Sequence, residues 1–274
     1  MSVVFLHLPK SAGSSLANML AAHFAPEAIY RPEPRELGGR SREELAGYGL
    51  IHGHCQWSEL AAIPRPVRIV SLMREPLARA LSLYWYWRAH TWAYGVEEIS
   101  SRGVQFAKTL SMEAFFGEAP PDVMGNFENA VARQLVGAEY LAMNTGFTIP
   151  DQEVIRICRA HLDAMVFCGL TERFAASAAA ILGRLGLPAS ATRADNTLAG
   201  QMLAPGFETV RPTPPSPALL ARLRDLNAID AALYRHVRDG WRMRLASAAQ
   251  AMRGGIAMAQ SAFPSGRGRI RSQT

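Results

Sequence analysis

Val3-Val4-Phe5-Leu6-His7-Leu8-Pro9-Lys10-Ser11-Ala12-Gly13-Ser14-Ser15-Leu16 is the stretch on which the fold turns. An apolar run of strand type meets a turn of small residues that holds one lysine. Beyond the turn, Leu16, Met19, Leu20 and Phe24 recur at helical spacing, which predicts one buried helix face. A strand passing into a helix through small residues aims several backbone N–H groups and a helix N-terminus at one point. That point attracts an anion of phosphate type. Lys10 adds a mobile full charge, Ser11, Ser14 and Ser15 add hydroxyl donors, and the backbone from Ala12 and Gly13 to Ser15 is the candidate cradle. The order differs from the nucleotide loop GxxxxGK[ST], where the lysine comes late; here it comes first, after a proline. Alone, the segment also reads as a plain strand–helix connection with a surface lysine.

The rest of the chain bounds the problem. It has 274 residues, 29.9 kDa and 49% hydrophobic residues, enough for a globular protein with a large core. The net charge of +6 suits an anionic ligand or a polyanionic partner, and equally a generally arginine-rich proteome. No nucleic-acid partner is expected. Cys55, Cys158 and Cys168 are odd in number and have no metal-ligand spacing, so neither zinc nor a disulfide framework is expected. Reduced thiols and a first strand close to Met1, read as leaving no room for a signal peptide, predict a cytoplasmic protein. No run of roughly 18 apolar residues occurs, so no integral membrane segment is expected.

Strand-like and helix-like segments alternate. Tyr48–His54 and Val67–Met73 read as strands, and Pro76–Arg88 as a helix with proline in its first turn. A short helix is expected after Ser41. Residues 95–125 read as irregular, a candidate flap. Phe127–Leu135, Gln152–Leu162 and Thr171–Leu185 read as helices, Met165–Cys168 as a buried strand, and Pro217–Leu245 as a last helix or helix pair. Residues 188–216 are expected to wrap the surface. This alternation predicts a parallel sheet covered on both faces: a P-loop-like three-layer α/β sandwich. One domain is expected over 1–250, with a disordered Gly-, Ser- and Arg-rich tail over 251–274.

A second anion motif is Arg74-Glu75-Pro76-Leu77-Ala78-Arg79-Ala80-Leu81-Ser82. Arg74 ends a strand and offers a planar fork of donors, and Ser82 lies one to two turns into the helix. Two anion motifs on separate strand–helix turns fit a ligand with two separated phosphates. Between them lies Ile51-His52-Gly53-His54, whose histidines face one way if this is a strand end. A histidine there is suited to take a proton from an attacking hydroxyl. A hydrogen-bonded structural pair is a second reading and a metal site a third, though no carboxylate lies close in sequence.

These segments together resemble the sulfotransferases that use 3′-phosphoadenosine 5′-phosphosulfate (PAPS). The branch most similar contains heparan sulfate 2-O-sulfotransferase and its bacterial relatives. Pro9–Ser15 resembles that branch's 5′-phosphosulfate loop, Arg74 and Ser82 its 3′-phosphate motif, and His52-Gly53-His54 its H-G-H. The resemblance implies PAPS as co-substrate, adenosine 3′,5′-bisphosphate (PAP) as product, and no metal. It implies a carbohydrate or other hydroxyl-bearing acceptor. It assigns Lys10 to the bridging oxygen, His54 to the base and His52 to a helper role. Family members in the Golgi are membrane-anchored.

Further similarities are Ser82–Arg88, Glu128–Gly137, Phe167–Phe174 and Asp230–Tyr234. Arg88, Asn129 and Arg133 emerge from these as acceptor-binding candidates, with bracing of the fold as the other role for the last two. For most of the rings at Tyr84, Trp85, Tyr86 and Trp87, core packing is expected. Ser11 stands where the family usually has threonine. Residues 95–125 and 190–215 match no family pattern. Two rival readings are a metal-dependent nucleotide kinase and a non-catalytic binder of anionic glycans.

Overall fold

The computed structural model describes residues 2–32, 36–91, 98–143, 145–189 and 206–241. The chain divides into two compact units, Met1–Val237 and Arg238–Thr274. The tail expected over 251–274 lies outside the described residues, as does 190–205 of the expected surface wrap.

The described residues form one five-stranded sheet: β1 (Ser2–Leu6), β2 (Ile29–Tyr30), β3 (Leu50–Gly53), β4 (Val67–Met73) and β5 (Phe167–Leu170). Their order is β2-β3-β1-β4-β5, and each neighbouring pair is parallel. Val4 sits level with Ile51 and Ile69, and Phe5 with His52 and Val70. The chain leaving β1 returns at β2 on one side, while the chain leaving β4 returns at β5 on the other. Adjacent strands whose outgoing connections diverge open a crevice at their carboxyl ends. The turns after β1 and β4 flank that crevice.

The helices are α1 (Gly13–Ala21), α2 (Arg42–Ala46), α3 (Pro76–Ala89), α4 (Glu98–Thr109), α5 (Met112–Glu118), α6 (Pro121–Met124), α7 (Ala130–Val136), α8 (Asp151–Ala164), α9 (Phe174–Leu185) and α10 (Pro217–Leu226). They cover both faces of the sheet. On one face Val4, Leu6, Ile51, Ile69, Met73 and Leu170 join Val131 and Leu135 of α7 and Val154 and Leu162 of α8 in one buried core. On the other, α9 lies so close to β5 that a Cβ on Gly169 would meet Ser177 at 2.6 Å and Leu72 at 2.8 Å. Ser177 Oγ bonds both the N–H and the C=O of Leu170, 2.9 Å each, which ties this helix to the strand end. The three-layer α/β sandwich with a parallel sheet is thus what the chain adopts.

Local signals hold where they are short-range. Ser41 and Glu44 form a reciprocal capping box that starts α2. Val67–Met73 is β4 end to end, α3 starts at Pro76, and Gly186 closes α9 at φ 70°. The segment expected as a helix or helix pair over Pro217–Leu245 is two helical stretches separated at Asn227, α10 and residues 228–237, and residues 242–245 lie outside the described residues. The buried strand expected at Met165–Cys168 is Phe167–Leu170 instead.

The expected flap at 95–125 is not one: from residue 98 onward it is α4, α5 and α6. Their reason is tertiary. Val104, Ala107, Met112, Phe115, Phe116 and Val123 bury against Tyr84 and Trp87 of α3. Phe115, Phe116 and Phe127 pack edge to face at 5.1–5.2 Å between ring centroids. Gly103 permits the approach, since a Cβ there would lie 2.5 Å from the Trp87 ring.

Candidate active site

The carboxyl ends of four strands deliver one cavity of about 770 Å³. From the turn after β1 it takes Lys10 and the start of α1; from β4 and α3, Arg74, Ser82 and Tyr86; from β3, His54; from β5, Thr171. Sequence-predicted Lys10, Ala12, Gly13, Ser14, Ser15, His54, Arg74 and Ser82 all line it. Ser11 does not: it is fully buried, and its hydroxyl has no hydrogen-bond partner among the described residues.

The β1–α1 turn is strained. Lys10 (φ 60°) and Ala12 (φ 59°) are both left-handed without being glycine. Such residues cost of order 1–3 kcal/mol each and persist only where the surroundings enforce them. Helix α1 begins at Gly13 with no side-chain cap and no acidic residue in its first turn. Its first N–H groups lack intrahelical acceptors and carry the positive end of the helix dipole toward the cavity.

Two cations share this space. Arg74 Nη1 donates to the Lys10 carbonyl at 3.2 Å, joining the two turns directly. Lys10 Nζ lies over the Tyr86 ring, 3.7 Å from its centre. Burial, with Arg74 nearby, lowers the Lys10 pKa to about 8. Burial also lowers that of Arg74, while Glu172 and Glu75 oppose the shift. Glu172 accepts from the Glu75 N–H at 2.7 Å, and so braces the start of α3 from the β5 side.

The histidines divide. His54 Nδ1 lies 2.9 Å from the His7 carbonyl. A carbonyl only accepts, so Nδ1 carries the proton and Nε2 is the basic nitrogen of the neutral ring. His52 is buried and does not line the cavity; its Nε2 accepts from Arg31 Nε at 2.9 Å. His7, given no role by the sequence reading, does line it. Its ring stacks on His54 with centroids 4.2 Å apart, and lies so close over α1 that a Cβ on Gly13 would fall 1.8 Å from His7 Nε2. Gly13 is therefore required by the imidazole above it.

Burial lowers the pKa of His7 to about 3, helped by His54, His52 and Lys10, and that of His52 to about 4, helped by Arg31. Both are neutral in the folded protein at neutral pH. Unfolded histidines protonate near 6.5. As pH falls below that value the unfolded chain binds more protons, so stability is lost toward pH 4. Each histidine should then cost on the order of 3 kcal/mol at pH 4. Urea unfolding at pH 7 and pH 4 checks this: His52→Gln, which still accepts from Arg31, should lose about 3 kcal/mol less than wild type over that interval. An unchanged loss would refute the assignment.

Arg88, Asn129 and Arg133 are not among the residues lining the cavity. Arg88 donates to the carbonyls of Ala107 and Leu110 and to Tyr84 Oη, bracing α4 against α3. Arg133 donates to the carbonyls of Thr145 and Gly146. Asn129 is left-handed (φ 43°) and precedes α7 instead of lying within a helix from Phe127. Its Oδ1 accepts from the N–H groups of Ile229 and Asp230, 3.1 and 3.2 Å, while the Asp230 carboxylate accepts from Val131 and Ala132, 3.0 and 2.8 Å. Two helix starts cap each other through these side chains.

No family model matches the sequence, and no curated protein matches it. Among solved structures it is similar to a mouse sulfotransferase. That is SULT7A1, crystallised in complex with PAP, at 17% identity and a TM-score of 0.37. The match covers 69% of this chain and 60% of that one, so the chain spans less than two thirds of that protein's length. Among the described residues, no group of three or more His, Cys, Asp or Glu is placed to hold a metal ion, and no helix is long and apolar enough to cross a membrane.

Proposed function

We propose that this protein transfers the sulfuryl group of PAPS to a hydroxyl, with a carbohydrate as the expected acceptor class. One observation carries the reading: Lys10, Arg74, Ser82, the start of α1 and His54 line a single cavity. Two anion-type sites on adjacent strand ends suit a ligand with two separated phosphates, and the histidine supplies what simple binding does not require. The family resemblance of the same motifs agrees with it.

In this reading the acceptor oxygen forms a new bond to sulfur as the bond from sulfur to the bridging phosphate oxygen breaks in line. His54 Nε2 takes the acceptor proton. Charge grows on the leaving phosphate oxygen, where Lys10 and the N–H groups of Ala12 to Ser15 stabilise it. Arg74 and Ser82 hold the 3′-phosphate at the turn after β4. His52, whose Nε2 is held by Arg31 outside the cavity lining, keeps at most a supporting role.

Calorimetry against PAP and against ATP with magnesium tests the nucleotide half. PAP should bind with micromolar or better affinity, and ATP with magnesium far more weakly. Labelled PAPS offered with a panel of glycan, glycolipid and small hydroxyl acceptors tests transfer. Preference for ATP would replace this reading by a kinase; tight glycan binding without transfer would replace it by a non-catalytic binder.

A further inference from the structure

Gln134 is buried on α7 and does not line the cavity itself. Its Nε2 donates to two backbone carbonyls, His7 at 3.2 Å and Cys55 at 2.9 Å. These carbonyls stand on either side of His54: one ends the chain leaving β1, the other follows His54 directly after β3. The His7 carbonyl is also the acceptor for His54 Nδ1 at 2.9 Å. One amide thus fixes the carbonyl that fixes the imidazole, and also fixes the chain that carries it. The His7 ring completes the seat by stacking on His54, over Gly13.

We propose that Gln134 is a positioning residue that locks His54 into its Nδ1–H tautomer and aligns it in the cavity. An amide NH₂ is suited to the task, because it offers two donors to two carbonyls at once. A carboxylate would repel both, and an apolar side chain would leave both buried carbonyls without this donor. A histidine side chain free in water favours the other tautomer, with the proton on Nε2, so the lock is a measurable departure from default behaviour. The inference builds on the reading of His54 as the base, but its geometry does not depend on the reaction.

The test is nitrogen-15 NMR of the histidine rings in the full chain at pH 7.5, with His54 assigned by comparison with His54→Gln. The wild type should show His54 with a protonated Nδ1 and a bare Nε2. In Gln134→Met, close in volume but without donors, the His54 signals should move toward the averaged tautomers of a free imidazole. Gln134→Glu should shift them further. Circular dichroism confirms that each variant is folded. A wild-type His54 protonated on Nε2 overturns the proposal with no variant needed, and so does a folded Gln134→Met whose His54 signals match wild type. Where sulfuryl transfer is measurable, Gln134→Met should lower kcat with little change in KM for PAPS. A locked tautomer in a protein that transfers no sulfuryl group would sink the reaction assignment and leave the positioning role standing.

Discussion

Lys10→Ala is expected to reduce kcat for sulfuryl transfer by about 10²–10³-fold while the protein stays folded. Removing one fixed donor aimed at developing charge typically raises the barrier by about 2.7–4 kcal/mol. Lys10 is the mobile cation of the β1–α1 turn, and its ammonium lies over the Tyr86 ring. It is held there at a cost: burial and Arg74 bring its pKa down to about 8. Deleting a desolvated ammonium removes that cost, so no loss of folding stability is expected to accompany the loss of rate. Arginine should not restore the rate in full, because a rigid, delocalised fork does not place the compact charge that an ammonium brings to a single bridging oxygen. The same group sets a pH signature. As pH rises through about 8, ligand-free Lys10 gives up its proton, so PAP affinity should fall in the wild type. Lys10→Ala should show weaker binding without that alkaline decline. Titration calorimetry at pH 6.5, 7.5 and 9 reads both effects. A variant with wild-type kcat would remove Lys10 from the chemistry.

How far the sequence carries can be judged from particular residues. The strand β4 and the start of α3 are legible because an unbroken apolar run and a proline at a helix start act locally. The pairing of Lys10 with Arg74 is legible because two motifs of the same chemical kind end adjacent strands. Helices α4 to α6 are not, because their order comes from Phe115, Phe116 and Phe127 meeting Trp87, a match between segments distant in the chain. His7 and Gln134 are invisible for a related reason. His7 matters only because Gly13 leaves room for its ring and His54 stacks on it, and Gln134 only because α7 packs behind two strand ends. Arg88, Asn129 and Arg133 show the opposite limit. Their residue types suit a polar acceptor, but their bonds go mainly to backbone groups of neighbouring segments.

His54→Ala should be the second variant of large effect, lowering kcat by about 10²–10⁴-fold, the usual worth of a positioned general base. The wild-type rate should follow a bell in pH. Its acid limb belongs to the base, which must be neutral to accept the acceptor's proton. Its alkaline limb belongs to Lys10, which must be charged. In His54→Ala the acid limb should vanish and the alkaline one remain, and in Lys10→Ala the reverse. His52→Gln separates the two histidines of the H-G-H segment. Its ring nitrogen is committed to Arg31, and it stands outside the cavity lining. Its replacement should therefore cost far less than that of His54 and leave both limbs in place. An acid limb that disappears in His52→Gln and survives in His54→Ala would transfer the base to His52. That outcome would require Arg31 to release His52 when substrate binds, because the same Nε2 cannot accept from arginine and from the acceptor hydroxyl at once.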